Sequence, residues 1–245
     1  MALKPKHIIL IIVATIVVGY TLGVAIWTNR RTNQNICPAL DMTITDFGRR
    51  QYVTEEELVK LLKRDSIYPV GQVVSDISVQ RIEETIQAHP MVRTAQCYMN
   101  QSGMVCVRLS QREPVLRIVT GDRSYFVDRD HTVMPIRESV RTPVLVATGN
   151  IGERMACDEL ADFALWLENE PYWQAKIQRI EVSNPRMVYW IQKPDGTRII
   201  LGDMSNFRGK MNKLRKLYDK GFEQIGWQTY EEIDLRFNGQ VIGRN

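Results

Sequence analysis

Thr94-Ala95-Gln96-Cys97-Tyr98-Met99-Asn100-Gln101-Ser102-Gly103-Met104-Val105-Cys106-Val107-Arg108-Leu109 reads as two strands about a turn at Asn100-Gln101-Ser102-Gly103. A three-residue loop with Gly103 in the left-handed bulge position sets Cys97 opposite Val107. Ala95, Cys97, Met99, Val105, Val107 and Leu109 then share one apolar face, and Gln96, Tyr98, Cys106 and Arg108 share the other. A two-residue loop would pair Cys97 with Cys106 but mix polar and apolar side chains on both faces. Because one residue of slip exchanges the faces of a strand, the segregated register is the expected one, without a disulfide here. Cys37 and Cys157 complete a set of four cysteines, and buried free thiols are the simpler reading.

Just upstream, His89-Pro90 closes a helix, since the residue before proline is pushed out of helical geometry. Ser78 is the N-cap of that helix, Ile77 and Ile82 form a hydrophobic staple, and Ile86 lies one turn on. In a shorter helix before it, Thr54 and Glu57 make a capping box, and Leu58, Leu61 and Leu62 supply the buried stripe. Earlier still, Leu40, Met42 and Ile44 alternate with Asp41, Thr43 and Thr45, the period of a half-buried strand. The order is strand, helix, helix, strand, strand.

Beyond Pro114 strands and turns dominate. Ser124 to Asp128 and Pro143 to Ala147 read as strands, and Asp195-Gly196 turns Val188–Gln192 into Thr197–Leu201. Leu160, Phe163, Ala164 and Leu167 fall at helical spacing, and Phe207, Met211, Leu214 and Tyr218 stripe a last helix. Near the C-terminus Ile233, Leu235 and Phe237 alternate with Asp234 and Arg236, followed by Asn238-Gly239 and a short apolar limb, Gln240 to Ile242.

At the other end, Ile8 to Thr28 is 21 residues without a charge. At about 1.5 Å per residue a helix of that length covers roughly 30 Å, the hydrocarbon thickness of a bilayer. A single span over residues 8–28, after a cytoplasmic tail of residues 1–7, is expected. A cleaved signal would have a shorter apolar region and a small-residue cleavage site, which Gly23-Val24-Ala25-Ile26-Trp27 does not offer. Lys4 and Lys6 are nearly balanced by Arg30 and Arg31, so flanking charge barely orients the span. Thr15, Gly19 and Gly23 recur every fourth residue, the spacing that lets membrane helices pack closely, though such a stripe also occurs facing lipid.

All 28 acidic residues lie beyond this run, against 28 basic ones once those four flanking cations are set aside. A neutral remainder lacks the basic footprint of a nucleic-acid binder.

The strand-helix-helix-strand-strand order directly after a span resembles a POTRA domain. His89-Pro90-Met91-Val92-Arg93-Thr94-Ala95, the strand Val105-Cys106-Val107-Arg108-Leu109, and Gln111-Arg112-Glu113-Pro114-Val115 together resemble the FtsQ/DivIB family of bacterial division proteins. The resemblance implies an α+β architecture: one N-terminal transmembrane helix, a POTRA domain (β-α-α-β-β) over 36–114, and a mixed β-sheet domain with flanking helices over 115–245. It further implies an inner-membrane protein with its C-terminal domains in the periplasm, which recruits FtsB- and FtsL-like single-span partners and links them to septal peptidoglycan synthesis. The family's partner-contacting arginine and aromatic fall on Arg236 and Phe237, with Leu235, Gln240 and Val241 beside them. Some members add an aromatic shortly after this strand, where the present sequence has Gly243-Arg244-Asn245.

Physically, a late strand at a sheet edge offers unpaired N–H and C=O groups to a partner strand. The competing expectation is that Gln240 to Ile242 folds back through Asn238-Gly239 and covers that edge.

No other feature carries chemistry. Asp128, Asp130 and His131 could suggest a metal or acid/base site, but they also fit a polar turn between Phe126-Val127 and Val133-Met134. Arg208, Lys210, Lys213, Arg215, Lys216 and Lys220 make a basic helix, read as a solvated face or as a contact for an acidic partner. No nucleophile motif or phosphate loop is present, so a non-enzymatic scaffold without cofactor is expected. The alternative is an envelope translocation component, although those use tandem POTRA repeats and a barrel.

Overall fold

The computed structural model describes residues 5–32, 35–46, 51–121, 123–137, 142–184, 187–192, 196–221, 230–237 and 239–244; in the first helix the side chains described are those of 13–26. The chain forms two compact units, Met1–Gln111 and Arg112–Asn245. This boundary lies three residues before the expected one, because Arg112 and Glu113 already serve the second unit, pairing with Asp128 at 2.7 Å and Arg129 at 3.2 Å, while Gln111 still serves the first. Its side-chain carbonyl accepts the N–H groups of Tyr52 at 2.7 Å and Val53 at 3.0 Å.

The first unit opens with α1, Pro5–Thr32. Its described side chains are exposed, among them Val13, Ile16, Val17, Val18, Leu22, Val24 and Ile26. Among the described residues no helix is long and apolar enough to cross a membrane. The expected span 8–28 lies partly outside the described side chains; 13–26 alone is shorter than the roughly 20 residues a crossing takes.

Then follow β1 (Leu40–Ile44), α2 (Glu55–Arg64), a 3-10 turn at Val74–Asp76, α3 (Val79–Gln87), β2 (Val92–Met99) and β3 (Val105–Gln111). The order read from the sequence is the order observed. Thr54 Oγ1 accepts the Glu57 N–H at 3.2 Å and Ser78 Oγ the Arg81 N–H at 3.3 Å, so both caps form where expected. Helix α3 ends at Gln87, with Ala88 as its C-cap, slightly ahead of the expected stop at His89. The sheet order is β1-β3-β2, with β1 parallel and β2 antiparallel to β3. Cys97 pairs with Val107 and Tyr98 with Cys106, the segregated register, and all four cysteines are free. Gly103 has φ +76°, as the bulge turn requires. Cys106 is buried although it lies on the more polar face, because β3 is the central strand and is flanked on both sides.

The second unit is a nine-stranded mixed sheet. Its strands are β4 (Pro114–Thr120), β5 (Arg123–Asp128), β6 (Val133–Pro135), β7 (Leu145–Gly149), β8 (Ile177–Asn184), β9 (Met187–Gln192), β10 (Arg198–Gly202), β11 (Glu232–Asp234) and β12 (Ile242–Arg244). They lie in the order β12-β11-β10-β9-β8-β7-β4-β5-β6. Three neighbouring pairs are parallel, β4 with β7, β7 with β8 and β10 with β11; β5 and β6 lie in the first connection and helices fill the other two. Between β7 and β8 run α4 (Glu153–Met155), a π turn at Ala156–Leu160, α5 (Ala161–Glu168) and α6 (Pro171–Gln174); between β10 and β11 runs α7 (Phe207–Lys216), ending in a π turn at Leu217–Gly221.

One core joins the helical stripes to one sheet face: Leu160, Phe163, Ala164, Leu167, Met211 and Leu214 meet Ile118, Ala147, Ile180, Trp190, Ile199 and Ile233. Both expected helical stripes therefore face the core, with Phe207 half-buried against it. The strand expected from Pro143 begins two residues later at Leu145, and Asp195 of the expected turn lies outside the described residues.

Candidate partner-binding edge

Strand β11 is not the end of the sheet. It pairs parallel with β10 on one side and antiparallel with β12 on the other, with Glu232 opposite Arg244, Ile233 opposite Gly243 and Asp234 opposite Ile242. The expected edge strand over 233–237 is thus corrected twice. It is three residues long, and the returning chain covers it two residues later than the expected limb at 240–242. Among the described residues, no strand lies beyond β12.

The early end of β11 follows from its side chains. Leu235 is fully buried and donates its N–H to Ile200 O at 2.9 Å, so it packs in the core and presents nothing to a partner. Asp234 is fully buried on the opposite face. Arg236 Nε lies 3.0 Å from Asp234 Oδ1, Nη2 lies 2.6 Å from Oδ2, and the Arg236 N–H donates to Oδ1 at 3.0 Å. Burial raises the Asp234 carboxyl, but these hydrogen bonds and the Arg236 charge lower it more, leaving it below the ordinary carboxylate range. The chain therefore curls over its own carboxylate. Phe237 is left 45% exposed, with the Arg236 guanidinium 5.9 Å from its ring centre.

A residue that the sequence reading treated only as part of a basic face holds the curl in place. Lys213 Nζ donates to the carbonyl oxygens of Phe237 at 2.6 Å, Leu235 at 3.4 Å and Gln240 at 3.4 Å. Its neighbours on α7 are engaged too. Lys210 pairs with Asp203 at 2.9 Å, and Arg215 pairs with Asp219 at 2.9 Å and stacks 3.6 Å above the centre of the Tyr172 ring. Val241 is half-buried against the core, and Gln240 is exposed. Within β12, a Cβ on Gly243 would come within 2.6 Å of the Tyr230 ring. Glycine is thus what lets the edge strand lie under that aromatic.

The sheet face away from the helices carries a ladder of charges ending at this edge. Arg179 pairs with Glu181 at 2.6 Å on β8, and Tyr189 on β9 also hydrogen-bonds Glu181. Arg198 on β10 lies 4.8 Å from the Tyr189 ring centre and 4.0 Å from Glu232 on β11, which meets Arg244 on β12 at 2.8 Å. An open depression of about 500 Å³ lies along this ladder, lined by Arg179, Glu181, Arg198 and Glu232 among others. Burial raises the Glu181 carboxyl, but the Tyr189 and Arg179 hydrogen bonds and the nearby arginine charges lower it more.

The cluster at Asp128, Asp130 and His131 resolves as architecture. Asp128 is buried, pairs with Arg112 at 2.7 Å and accepts the N–H groups of Asp130 and Thr132, with His131 at φ +62°. That is a hairpin turn between β5 and β6. Gly19 and Gly23 of α1 have open space where a Cβ would be, and Thr15 is exposed on the same helix.

Residues 113–244 match the family described as FtsQ/DivIB, C-terminal related, and residues 35–110 match the POTRA-like domain. The chain belongs to the FtsQ/DivIB-related family. Comparison with curated proteins finds no match. In this FtsQ/DivIB-related chain the family match spans every strand of the second unit, from Pro114 to Arg244. Lys213, Tyr230, Gly243 and Arg244 are the edge residues that sequence reasoning missed. Gly243 held the one local signal, a glycine directly after the short apolar limb, which marks a close approach by another group.

Proposed function

We propose that the chain is a non-enzymatic scaffold of the bacterial division machinery, anchored in the inner membrane by residues 8–28 with a cytoplasmic N-terminus. Its two folded units stand in the periplasm. Its C-terminal sheet edge recruits FtsB- and FtsL-like single-span partners, linking them to septal peptidoglycan synthesis. Family membership supports the division role. The exposed apolar side chains all along 13–26 support the anchor, since such a helix needs lipid or helix partners around it. Thr15, Gly19 and Gly23 offer those partners a close approach.

The observation that carries the recruiting edge is the position of β12: a short terminal strand beside an exposed Phe237, held in place by Lys213. Strand addition there supplies main-chain hydrogen bonds, and neighbouring side chains supply selectivity. The charge ladder ends on Arg244, so an incoming strand with an acidic residue facing Arg244 continues the alternation, each favourable cross-strand pair adding roughly 0.2–1 kcal/mol.

The test is copurification from membranes with the full chain and with Phe237→Ala, which removes the exposed aromatic beside the edge. Small coiled-coil single-span proteins should come down with the former and be depleted from the latter, with circular dichroism unchanged. Equal recovery with both would overturn the edge as the recruiting site.

A further inference from the structure

The POTRA sheet ends on one side at β2, which at eight residues is the kind of edge that invites other strands unless something covers it. Two side chains of α3 cover it. The Glu83 carboxylate accepts the Cys97 N–H at 2.7 Å. The Gln87 side-chain carbonyl accepts the Ala95 N–H at 2.7 Å, and its amide donates to the Arg93 carbonyl at 2.9 Å. Ala95 and Cys97 stand opposite Leu109 and Val107 in the ladder, yet their N–H groups point away from β3 toward these side chains.

The match is geometric. Outward groups of a strand recur every second residue, about 6.8 Å apart, and side chains four residues apart on a helix are separated by about 6.0 Å along its axis. Glu83 therefore reaches Cys97 while Gln87 reaches Ala95, helix and strand running in opposite directions. Between them the two side chains offer two acceptors and one donor, the pattern a neighbouring strand would present. The bond to Glu83 is charge-assisted, the stronger kind. The carboxylate also registers on the thiol beside it: burial and then the Glu83 charge push Cys97 up to about 12.

We infer that Glu83 and Gln87 form a latch that closes the POTRA sheet to strand addition. An added strand must first displace three hydrogen bonds already satisfied within the unit, whereas among the described residues no helix side chain bonds the outward groups of β12. The POTRA unit then meets partners through side-chain surfaces, and main-chain pairing is directed to the C-terminal edge. Closure of β2 does not depend on what β12 receives.

Amide hydrogen exchange on the full chain in detergent tests this. In the native protein the Ala95 and Cys97 amides should be protected alongside Gln96 and Tyr98, whose N–H groups face β3. In Glu83→Ala/Gln87→Ala, with two substitutions favourable to a helix, Ala95 and Cys97 should exchange about tenfold faster while Gln96 and Tyr98 stay slow. Ultracentrifugation of the same variant should show edge-to-edge dimers that the native chain lacks. The single variant Glu83→Ala separates local release from loss of the sheet: Cys97 alone should accelerate. Acceleration of both Ala95 and Cys97 in that variant, or of neither, overturns the latch, as does fast exchange of the two amides in the native protein.

Discussion

A carboxylate with no exposed surface is stable only where its charge is matched, and Asp234 obtains the match from Arg236 through two guanidinium nitrogens and a backbone N–H. Arg236 is therefore a positioning residue for the β11 end before it is a contact. Replacing it with alanine should cost about 2 kcal/mol in urea unfolding, because the buried charge stays behind. Asp234→Asn/Arg236→Ala should cost clearly less than the two single losses added together, since the pair acts as a unit. Phe237→Ala should move stability by no more than about 0.5 kcal/mol while reducing partner recovery, which separates the contact from its support. Acid adds a direction. Asp234 and Glu181 both sit below the ordinary carboxylate range near 4, so as pH falls the unfolded chain takes up those protons first. Their contribution is whole above that range and is lost as pH falls through the lowered values. The urea midpoint should drop between pH 5 and pH 3, and drop less in Asp234→Asn. A flat profile, or an equal drop in the variant, would show that these carboxylates do not carry the edge.

At the scale of elements, β12 is a strand placed by its neighbours more than by its own three residues. Lys213 on α7 gathers three carbonyls from the connection between β11 and β12, and Tyr230 covers Gly243. Lys213→Met keeps the stem but removes the donors, and should raise amide exchange at Ile242–Arg244 several-fold with little change at β8 or β9. Gly243→Ala should displace the Tyr230 ring and destabilise by about 1–3 kcal/mol, read as a lowered melting temperature. These dependences explain what could be read from sequence and what could not. The β2–β3 register was legible because, of a two-residue and a three-residue loop, only the latter puts Ala95, Cys97 and Met99 on one face with Val105, Val107 and Leu109. Both POTRA helices announced themselves through Thr54 and Ser78, whose capping acts within three residues. The end of β11 was not legible, because alternation through Phe237 is broken by an ion pair to Asp234 and by a lysine that comes 22 residues before Leu235. Strands β4 and β8 went unread for a related reason. Each pairs with its sequence neighbour, β5 or β9, through a register shift, between Pro114 and Leu116 and between Ile177 and Arg179, so neither has a simple half-buried alternation to show.

On the scale of the whole molecule, the two folded units bury their apolar side chains and α1 does not. Val13, Ile16, Val17, Val18, Leu22, Val24 and Ile26 are each 40–65% exposed. Covering such a side chain is worth about 1.5–3 kcal/mol at most, so seven half-covered ones leave on the order of 5–10 kcal/mol to be gained from a surrounding medium. Charge does not compete with that gain, because the remainder of the chain is neutral and Lys4, Lys6, Arg30 and Arg31 flank the apolar run on both sides. A lipid bilayer meets the need with the whole circumference of the helix, whereas a single protein partner would cover one stripe and leave the rest wet. The full chain should accordingly stay with membranes through an alkaline carbonate wash that strips peripheral proteins, and should need detergent for release. A chain beginning at Asn35 should appear in the soluble fraction with both folded units intact, shown by an unchanged melting temperature. Two results would argue against the anchor: release of the full chain by carbonate, or retention of the shortened chain on the membrane, which would move the attachment onto one of the folded units.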